Sequence, residues 1–277
     1  MDEKQLKLTA AKIRRHVIEA VSAAKSGHPG GSLSVTDIIT TLYFDEMNVD
    51  PKNPKMADRD RFVLSKGHCA PALYAALAMK GFFPEEDIET LRKVTSYLEG
   101  HPSISTVPGI DISTGSLGQG ISNAVGIALA GKLDKKDYRV FTVLGDGETE
   151  EGQVWEAAMA AAHYKLDNIT AFIDLNGLQI DGNTTDVMNP NPLDEKFRAF
   201  GWNVITIDGH NFAEIRAAID QAKATKGKPT MIIAKTVKGK GVSFMEGDYG
   251  WHGVAPNAEQ TAKALAEIDG VIAELEA

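Results

Sequence analysis

The chain has one cysteine, Cys69, in 277 residues, which excludes an intramolecular disulfide framework. No uninterrupted apolar run approaches the roughly 18 to 20 residues that span a bilayer. The charged start MDEKQLKLTAAKIRRH lacks the apolar stretch of a secretory signal. The expectation is a cytoplasmic protein with no membrane role. No Lys/Arg block interrupts a formal net charge of −9, which argues against nucleic acid as a partner. The Walker pattern G-x-x-x-x-G-K-[ST] and the dinucleotide pattern G-x-G-x-x-G are both missing. There is also no internal repeat, low-complexity tract or Pro/Gly/Ser linker, so residues 1–277 read as a single domain.

What is present is enough for a sizeable core, with 43% apolar residues. Residues 4 to 25 carry Leu6, Ile13, Val17, Ile18 and Val21 at helical spacing and stop at SGHPGG, read as a turn. LSVTDIITTLYFDEM and APALYAALAMKGFF read as two more helices of this N-terminal helical segment, separated by the turn-forming stretch NVDPKNPKMADRDRF. The irregular segment SYLEGHPSISTVPGIDISTGSLGQG is longer than an ordinary connection, which points to function. From residue 138 strands and helices alternate: YRVFTVLG, EGQVWEAAMAAAHYK, ITAFIDLN, LDEKFRAFG, WNVITID, FAEIRAAIDQAKAT and PTMIIAKTV. That succession predicts an α/β fold with a central, mostly parallel sheet and helices on both faces. The tail NAEQTAKALAEIDGVIAELEA reads as an amphipathic helix packed on its own domain.

Ligands of open α/β sheets sit beyond the carboxyl ends of strands, and VLGDGETEEG is such a strand-to-helix junction. Its turn is acidic and has no lysine. Asp146 between Gly145 and Gly147 repels a bare phosphate unless a cation lies between them. Magnesium answers the conflict, because it is held by one or two protein groups plus phosphate oxygens. The second ligand is expected from DLNGLQIDG at the end of the next strand, where Asn176 offers a side-chain oxygen and the turn offers a carbonyl. Either residue alone reads as a helix cap or a turn residue; it is the pair, one βαβ unit apart, that points to a metal.

Four of the seven histidines lie in glycine-bearing turns: His28 in SGHPGG, His68 in LSKGHCAPALY, His101 in LEGHPSI and His252 in YGWHGVAP. A neighbouring glycine keeps bulk away, so an imidazole can face a ligand closely. Cys69 beside His68 does not read as a nucleophile with its base, because adjacent residues rarely point at each other and no third orienting group is evident.

The GDG turn, followed after a helix and a strand by N-x-L and IDG, resembles the thiamine diphosphate binding motif in the form found in transketolases. SGHPG, LSKGHCAPALYA, GHP, TGSLGQG and WHG follow in the order of transketolase amino-terminal regions, so the resemblance covers nearly the whole chain. It implies the thiamine-diphosphate-binding fold and Mg²⁺, or Ca²⁺ or Mn²⁺ in its place, held by Asp146, Asn176 and the main-chain carbonyl of Leu178. Gly145, Gly147 and Ile180 would belong to the cofactor site, with Gly115 and Leu117 lining the cofactor by their backbone. His68 and His252 would approach the diphosphate, and His28 and His101 the hydroxyls of the sugar. Glu151 and Glu156 match glutamates between two cofactor sites, Glu151 among the catalytic set. Ser116 stands where proline is common, and GGSLS stands where an alanine- and proline-bearing version is more usual. His210 is expected to be structural, and His16 and His163 carry no functional signal.

The implied reaction moves a two-carbon ketol unit from a ketose phosphate to an aldose phosphate. In the family the aminopyrimidine is activated by a glutamate of a second domain, which nothing in this chain resembles. The expectation is therefore the amino-terminal subunit of a split transketolase, working with a partner chain that carries the pyrimidine and C-terminal domains, as an α2β2 assembly. Alternatives are membership of another thiamine diphosphate enzyme (2-oxo acid decarboxylation or deoxyxylulose phosphate condensation), a modified ketose in place of ordinary pentose phosphates, or a truncated piece of a longer enzyme.

Overall fold

In the computed structural model, which describes residues 1–277, helix α1 (Glu3–Ala24) opens with a reciprocal cap between Asp2 and Gln5. It closes where Lys25 turns left-handed at φ 50°. Such paired bonds satisfy amides that a helix start leaves orphaned. The buried stripe Leu6, Ile13, Val17, Ile18 and Val21 is the one the spacing marks.

Helix α2 (Pro29–Thr41) corrects one expectation, because it begins inside the segment read as a turn. Proline at the first helical position costs no intrahelical bond, so the turn is confined to the residues before it. Gly30 and Gly31 then sit in the first helical turn. There a Cβ would stand 2.9 Å from the Trp251 carbonyl oxygen and 2.8 Å from Cys69 Sγ, respectively. Every residue of α2 is buried.

Strand β1 (Arg61–Leu64) was not foreseen. It is four residues long and its Phe62, Val63 and Leu64 are buried on both faces, so it offers no period-2 alternation at the end of a turn-rich stretch. Helix α3 (Ala70–Lys80) stops at Gly81, whose φ is 95°. The long segment to Gly118 is irregular apart from a 3₁₀ helix at Glu85–Thr90, and α4 (Gln119–Leu133) follows it.

The remaining elements alternate: β2 (Val140–Gly145), α5 (Gly152–His163), β3 (Ile169–Leu175), a small antiparallel hairpin β4 (Leu178–Gln179) and β5 (Gly182–Asn183), the single turn α6 (Thr184–Val187), α7 (Leu193–Ala199), β6 (Asn203–Asp208), α8 (Phe212–Ala224), β7 (Thr230–Lys235) and α9 (Ala258–Glu276). The main sheet has the order β1-β2-β3-β7-β6, and every pairing in it is parallel.

Alternation along the strands divides the core. Phe141, Val143, Phe172, Ile232 and Ala234 face α1, α2, α3 and α8. Val140, Leu144, Ile169, Ile173, Met231 and Ile233 face α4, α5 and α7. Both faces are thus covered, and α9 packs along α1. No helix is long and apolar enough to cross a membrane. Because all five strands run the same way, their carboxyl ends share one edge, where the loops carrying His68, Asp146, Asn176, His210 and Lys238 begin.

Candidate active site

Asp146 leaves the end of β2 with its carboxylate turned toward the next loop. Its Oδ1 accepts the Gly147 N–H at 2.8 Å and its Oδ2 the Gly177 N–H at 2.5 Å. Asn176, directly after β3, accepts the Leu178 N–H on its Oδ1 at 3.1 Å. The two loop tips therefore meet. Asp146, Asn176 and Leu178 line one cavity of about 300 Å³, together with Gly145, Gly147, Leu117, Ile180, His68 and His252. Burial, reinforced by the Asp174 carboxylate, pushes the Asp146 carboxyl up to about 6. A buried carboxylate raised in this way is short of positive charge.

A divalent cation fits these residues by the chemistry of their donors. A carboxylate, an amide oxygen and a main-chain carbonyl form the hard oxygen set that magnesium or calcium prefers. No three His, Cys, Asp or Glu side chains converge on a point, so the nearby imidazoles do not form a site for a softer metal.

The four turn histidines come together although they are far apart in sequence. The His68 and His252 rings stack at 5.0 Å between centroids, His28 meets them edge-on at 5.2 and 5.4 Å, and His101 lies 6.4 Å from His28. Burial lowers all four, with cationic neighbours adding to it. His28 falls to about 4, His252 to about 3, His68 well below its ordinary value, and His101 is lowered with help from Arg92. The cluster is neutral at pH 7. His28 Nδ1 is buried without a hydrogen-bond partner, an atom ready for a ligand. Gly115 supports the cluster from behind. Its φ is +147°, and a Cβ there would stand 3.0 Å from His101 Cγ.

Three functional side chains escaped the sequence reading. Lys238, from the segment after β7, is 2% exposed and lines the same cavity as the acidic turn. Its Nζ donates to the Leu178 carbonyl at 3.3 Å and to His252 Nδ1 at 3.0 Å. That bond fixes the proton of neutral His252 on Nε2. Burial, then the Lys66 charge, lowers the Lys238 ammonium. The available signal was KGKG just beyond a strand, a lysine among glycines at the ligand edge of the sheet.

Lys66, also on the cavity wall, makes a buried ion pair with Asp174, and its Nζ donates to the Gly31 carbonyl at 3.0 Å. Asp174 also accepts from the hydroxyls of Ser34, at 2.6 Å, and Thr236. Burial by itself would raise the Asp174 carboxyl and lower the Lys66 ammonium. The mutual attraction outweighs it, so Asp174 is held low and Lys66 high.

Glu148 is the third. Its buried carboxylate accepts from Ser65 Oγ at 2.5 Å, the Gly118 N–H at 2.9 Å and the Gly145 N–H at 3.1 Å. It thereby ties the ends of β1 and β2 to the TGSLGQG turn.

Glu151 and Glu156 are not brought to the cavity. Both are exposed at the start of α5, and Glu150 lines the cavity instead. A helix start directs neighbouring side chains to different sides, and a single chain offers these two no partner. His16 pairs with Glu19 and Glu85 away from the cavity, and His163 is exposed at the end of α5. His210 does not line the cavity but joins a polar network beside it, bonded to Asp37 and to the Val237 N–H.

Comparison with known proteins shows the family and the fold. The family model for the transketolase thiamine diphosphate binding domain matches residues 5–271. The 6-deoxy-6-sulfo-D-fructose transketolase subunit SqwG of Clostridium sp. (strain MSTE9) is 48% identical over 97% of this chain and 98% of that protein. One of the apulose-4-phosphate transketolase subunits of Phocaeicola vulgatus is 47% identical over 100% of this chain and 98% of that protein. The crystal structure of transketolase from Campylobacter jejuni superposes with a TM-score of 0.91 at 34% identity, covering 99% of this chain but 46% of that one. The chain thus spans nearly the whole length of some relatives and less than half of others. The parallel sheet covered by helices on both faces is the fold these matches share, and with the family model matching nearly the whole chain, the chain belongs to the transketolase family, as its thiamine diphosphate binding domain.

Proposed function

We propose that this chain is the diphosphate-holding subunit of a two-chain transketolase that moves a two-carbon ketol unit from a ketose phosphate to an aldose phosphate. The observation that carries the proposal is the convergence of Asp146 and Asn176 on one cavity beside four neutral imidazoles.

Asp146, Asn176 and the Leu178 carbonyl would hold Mg²⁺, or Ca²⁺ or Mn²⁺ in its place. When bound, thiamine diphosphate supplies the carbon that accepts the two-carbon unit. Lys238 and the imidazoles of His68 and His252 lie where the diphosphate's charge would be met. Gly115 and Leu117 would line the cofactor by their backbone, and Gly145, Gly147 and Ile180 would belong to its site. His28 and His101 would orient sugar hydroxyls. A neutral imidazole can both accept and donate a proton, whereas a charged one can only donate, and burial keeps these neutral. General acid–base help of this kind is worth about 10²–10⁴-fold in rate.

Glu151 and Glu156 would act at a contact with a second copy of the chain in an α2β2 assembly. Their exposure here is consistent with that. The partner would be a chain carrying the pyrimidine and C-terminal domains. Two relatives of matching length, both named as transketolase subunits, support this. Those names also favour a modified ketose, such as a 6-deoxy-6-sulfo sugar, over the ordinary pentose phosphates as the substrate. A cytoplasmic location completes the proposal.

The test mixes the purified chain with thiamine diphosphate, Mg²⁺ and paired ketose and aldose phosphates, with and without the candidate partner chain. Turnover is expected only with the partner, and loss of it on Asp146→Ala. Substantial activity of this chain alone refutes the two-chain reading. Turnover of pyruvate in preference to ketoses refutes ketol transfer.

A further inference from the structure

The segment after β7 is pinned on both sides of Lys238 by a buried polar chain that lies outside the cofactor cavity. Arg14 of α1 gives two N–H groups to Asp37 of α2, at 3.0 and 2.6 Å. Asp37 also takes the Nδ1 side of His210 at 2.7 Å, in the turn after β6. The other ring nitrogen, Nε2, accepts the Val237 N–H at 2.9 Å. Beyond Lys238, the Gly239 N–H donates to the Gly30 carbonyl at 2.9 Å and the Lys240 carbonyl accepts from Arg14 Nε at 3.1 Å.

Donor and acceptor needs fix the state of His210. An amide N–H can only donate, so Nε2 carries no proton. Asp37 is buried and ion-paired with Arg14, so it is an acceptor and the single ring proton sits on Nδ1. His210 therefore bridges two elements in one tautomer, donating to α2 and accepting from the residue before Lys238. A lysine side chain has four rotatable bonds and reaches one point reproducibly only if its backbone is held. Here that point lies between the Leu178 carbonyl and His252 Nδ1.

We infer that His210 is a positioning residue for the active site: by accepting the Val237 N–H it holds the backbone from which Lys238 reaches over the cofactor cavity. The inference rests on Lys238 meeting the diphosphate's charge. The imidazole itself touches neither the cavity nor a ligand. Its contribution is transmitted through a single backbone bond.

Conservative variants separate the two halves of the ring. His210→Asn keeps a donor near the Nδ1 position and removes the Nε2 acceptor, whereas His210→Gln keeps an acceptor at the reach of Nε2. The affinity of the full chain for Mg²⁺ with inorganic pyrophosphate is measured by calorimetry for the native protein, for both His210 variants, for Lys238→Met and for His210→Asn/Lys238→Met. Loss of a bond to a charged group predicts a decrease of about 10–100-fold for Lys238→Met, and a similar decrease for His210→Asn. His210→Gln should keep most of the native affinity. The double variant should bind no worse than Lys238→Met, because the two act through one interaction.

Native affinity in His210→Asn while Lys238→Met is impaired overturns the positioning role and leaves the reading of Lys238 standing. Multiplying losses in the double variant do the same, as does His210→Gln failing as badly as His210→Asn. Native affinity in Lys238→Met removes the reading underneath and takes the inference with it. Should His210→Asn not fold, the wild-type chain still decides the geometric premise by NMR. A scalar coupling between His210 Nε2 and the Val237 nitrogen is expected across the hydrogen bond, and its absence overturns the inference.

Discussion

Replacing Asp174 by asparagine tests the buried charge on which the site is built. The substitution keeps shape and volume but leaves the Lys66 ammonium, 1% exposed, facing a neutral amide. The Gly31 carbonyl and the Cys69 thiol are then its nearest remaining partners. Removing one member of a buried pair costs about 3–5 kcal/mol, because the other charge is left desolvated and uncompensated. For a chain of this size each kcal/mol moves the midpoint by roughly 2–4 °C, so Tm should fall by on the order of 10 °C. Replacing both partners by apolar residues, as in Lys66→Met/Asp174→Leu, removes the orphaned charge and should recover most of the loss.

The sign of the pH dependence follows from the shifts. Asp174 is lowered in the folded state, so its contribution is present above the unfolded carboxyl range, near about 4, and is lost as pH falls through the folded value. Lys66 is raised, so its contribution is complete below the unfolded lysine value, about 10.4, and is lost as pH rises through the folded one. The pair should therefore stabilise throughout the interval between, and Asp174→Asn should lack its acid-side dependence. Urea denaturation followed by circular dichroism measures both quantities. A loss below about 1 kcal/mol for Asp174→Asn, the level of an exposed pair, or a double variant less stable than the single one, refutes the reasoning.

The histidine cluster gives a second pH prediction. His28, His68, His101 and His252 are all lowered in the folded chain, so they stabilise fully above the unfolded value of about 6.5 and stability declines as pH falls toward the folded values. His28→Asn/His252→Asn should flatten the slope of Tm between about pH 6.5 and 4, and an unchanged slope contradicts burial as its cause. Packing at the start of α2 gives a third. Gly31→Ala places a methyl 2.8 Å from Cys69 Sγ and should cost about 1–3 kcal/mol by overpacking. Gly31→Ala/Cys69→Ala should recover much of that loss in the same denaturation assay, and failure to do so means the contact is not what excludes a side chain at position 31.

Much of the fold was legible because it is written in local patterns. The alternation from residue 138 onward marks β2, β3, β6 and β7 and the helices between them, and Leu6, Ile13, Val17, Ile18 and Val21 at helical spacing mark α1. Strand β1 was not legible, since RFVL is buried on both faces by helices that belong to other parts of the chain. The start of α2 was misread because glycine and proline signal a turn, while what selects them here is the close approach of Trp251 and Cys69.

The sequence by itself determined the chemistry of the strand ends: an aspartate between glycines, an asparagine one βαβ unit later, and histidines in turns, each recognisable within a few residues. Only the tertiary structure decided how charge is balanced there. Lys66 finds Asp174 at a separation of 108 residues, and Glu148 gathers Ser65 and the Gly118 amide across 83 and 30. Lys238 reaches Leu178 across 60. Such pairs leave no period or motif in the chain, because a buried charge takes its partner from whichever loop the parallel sheet brings to the same edge.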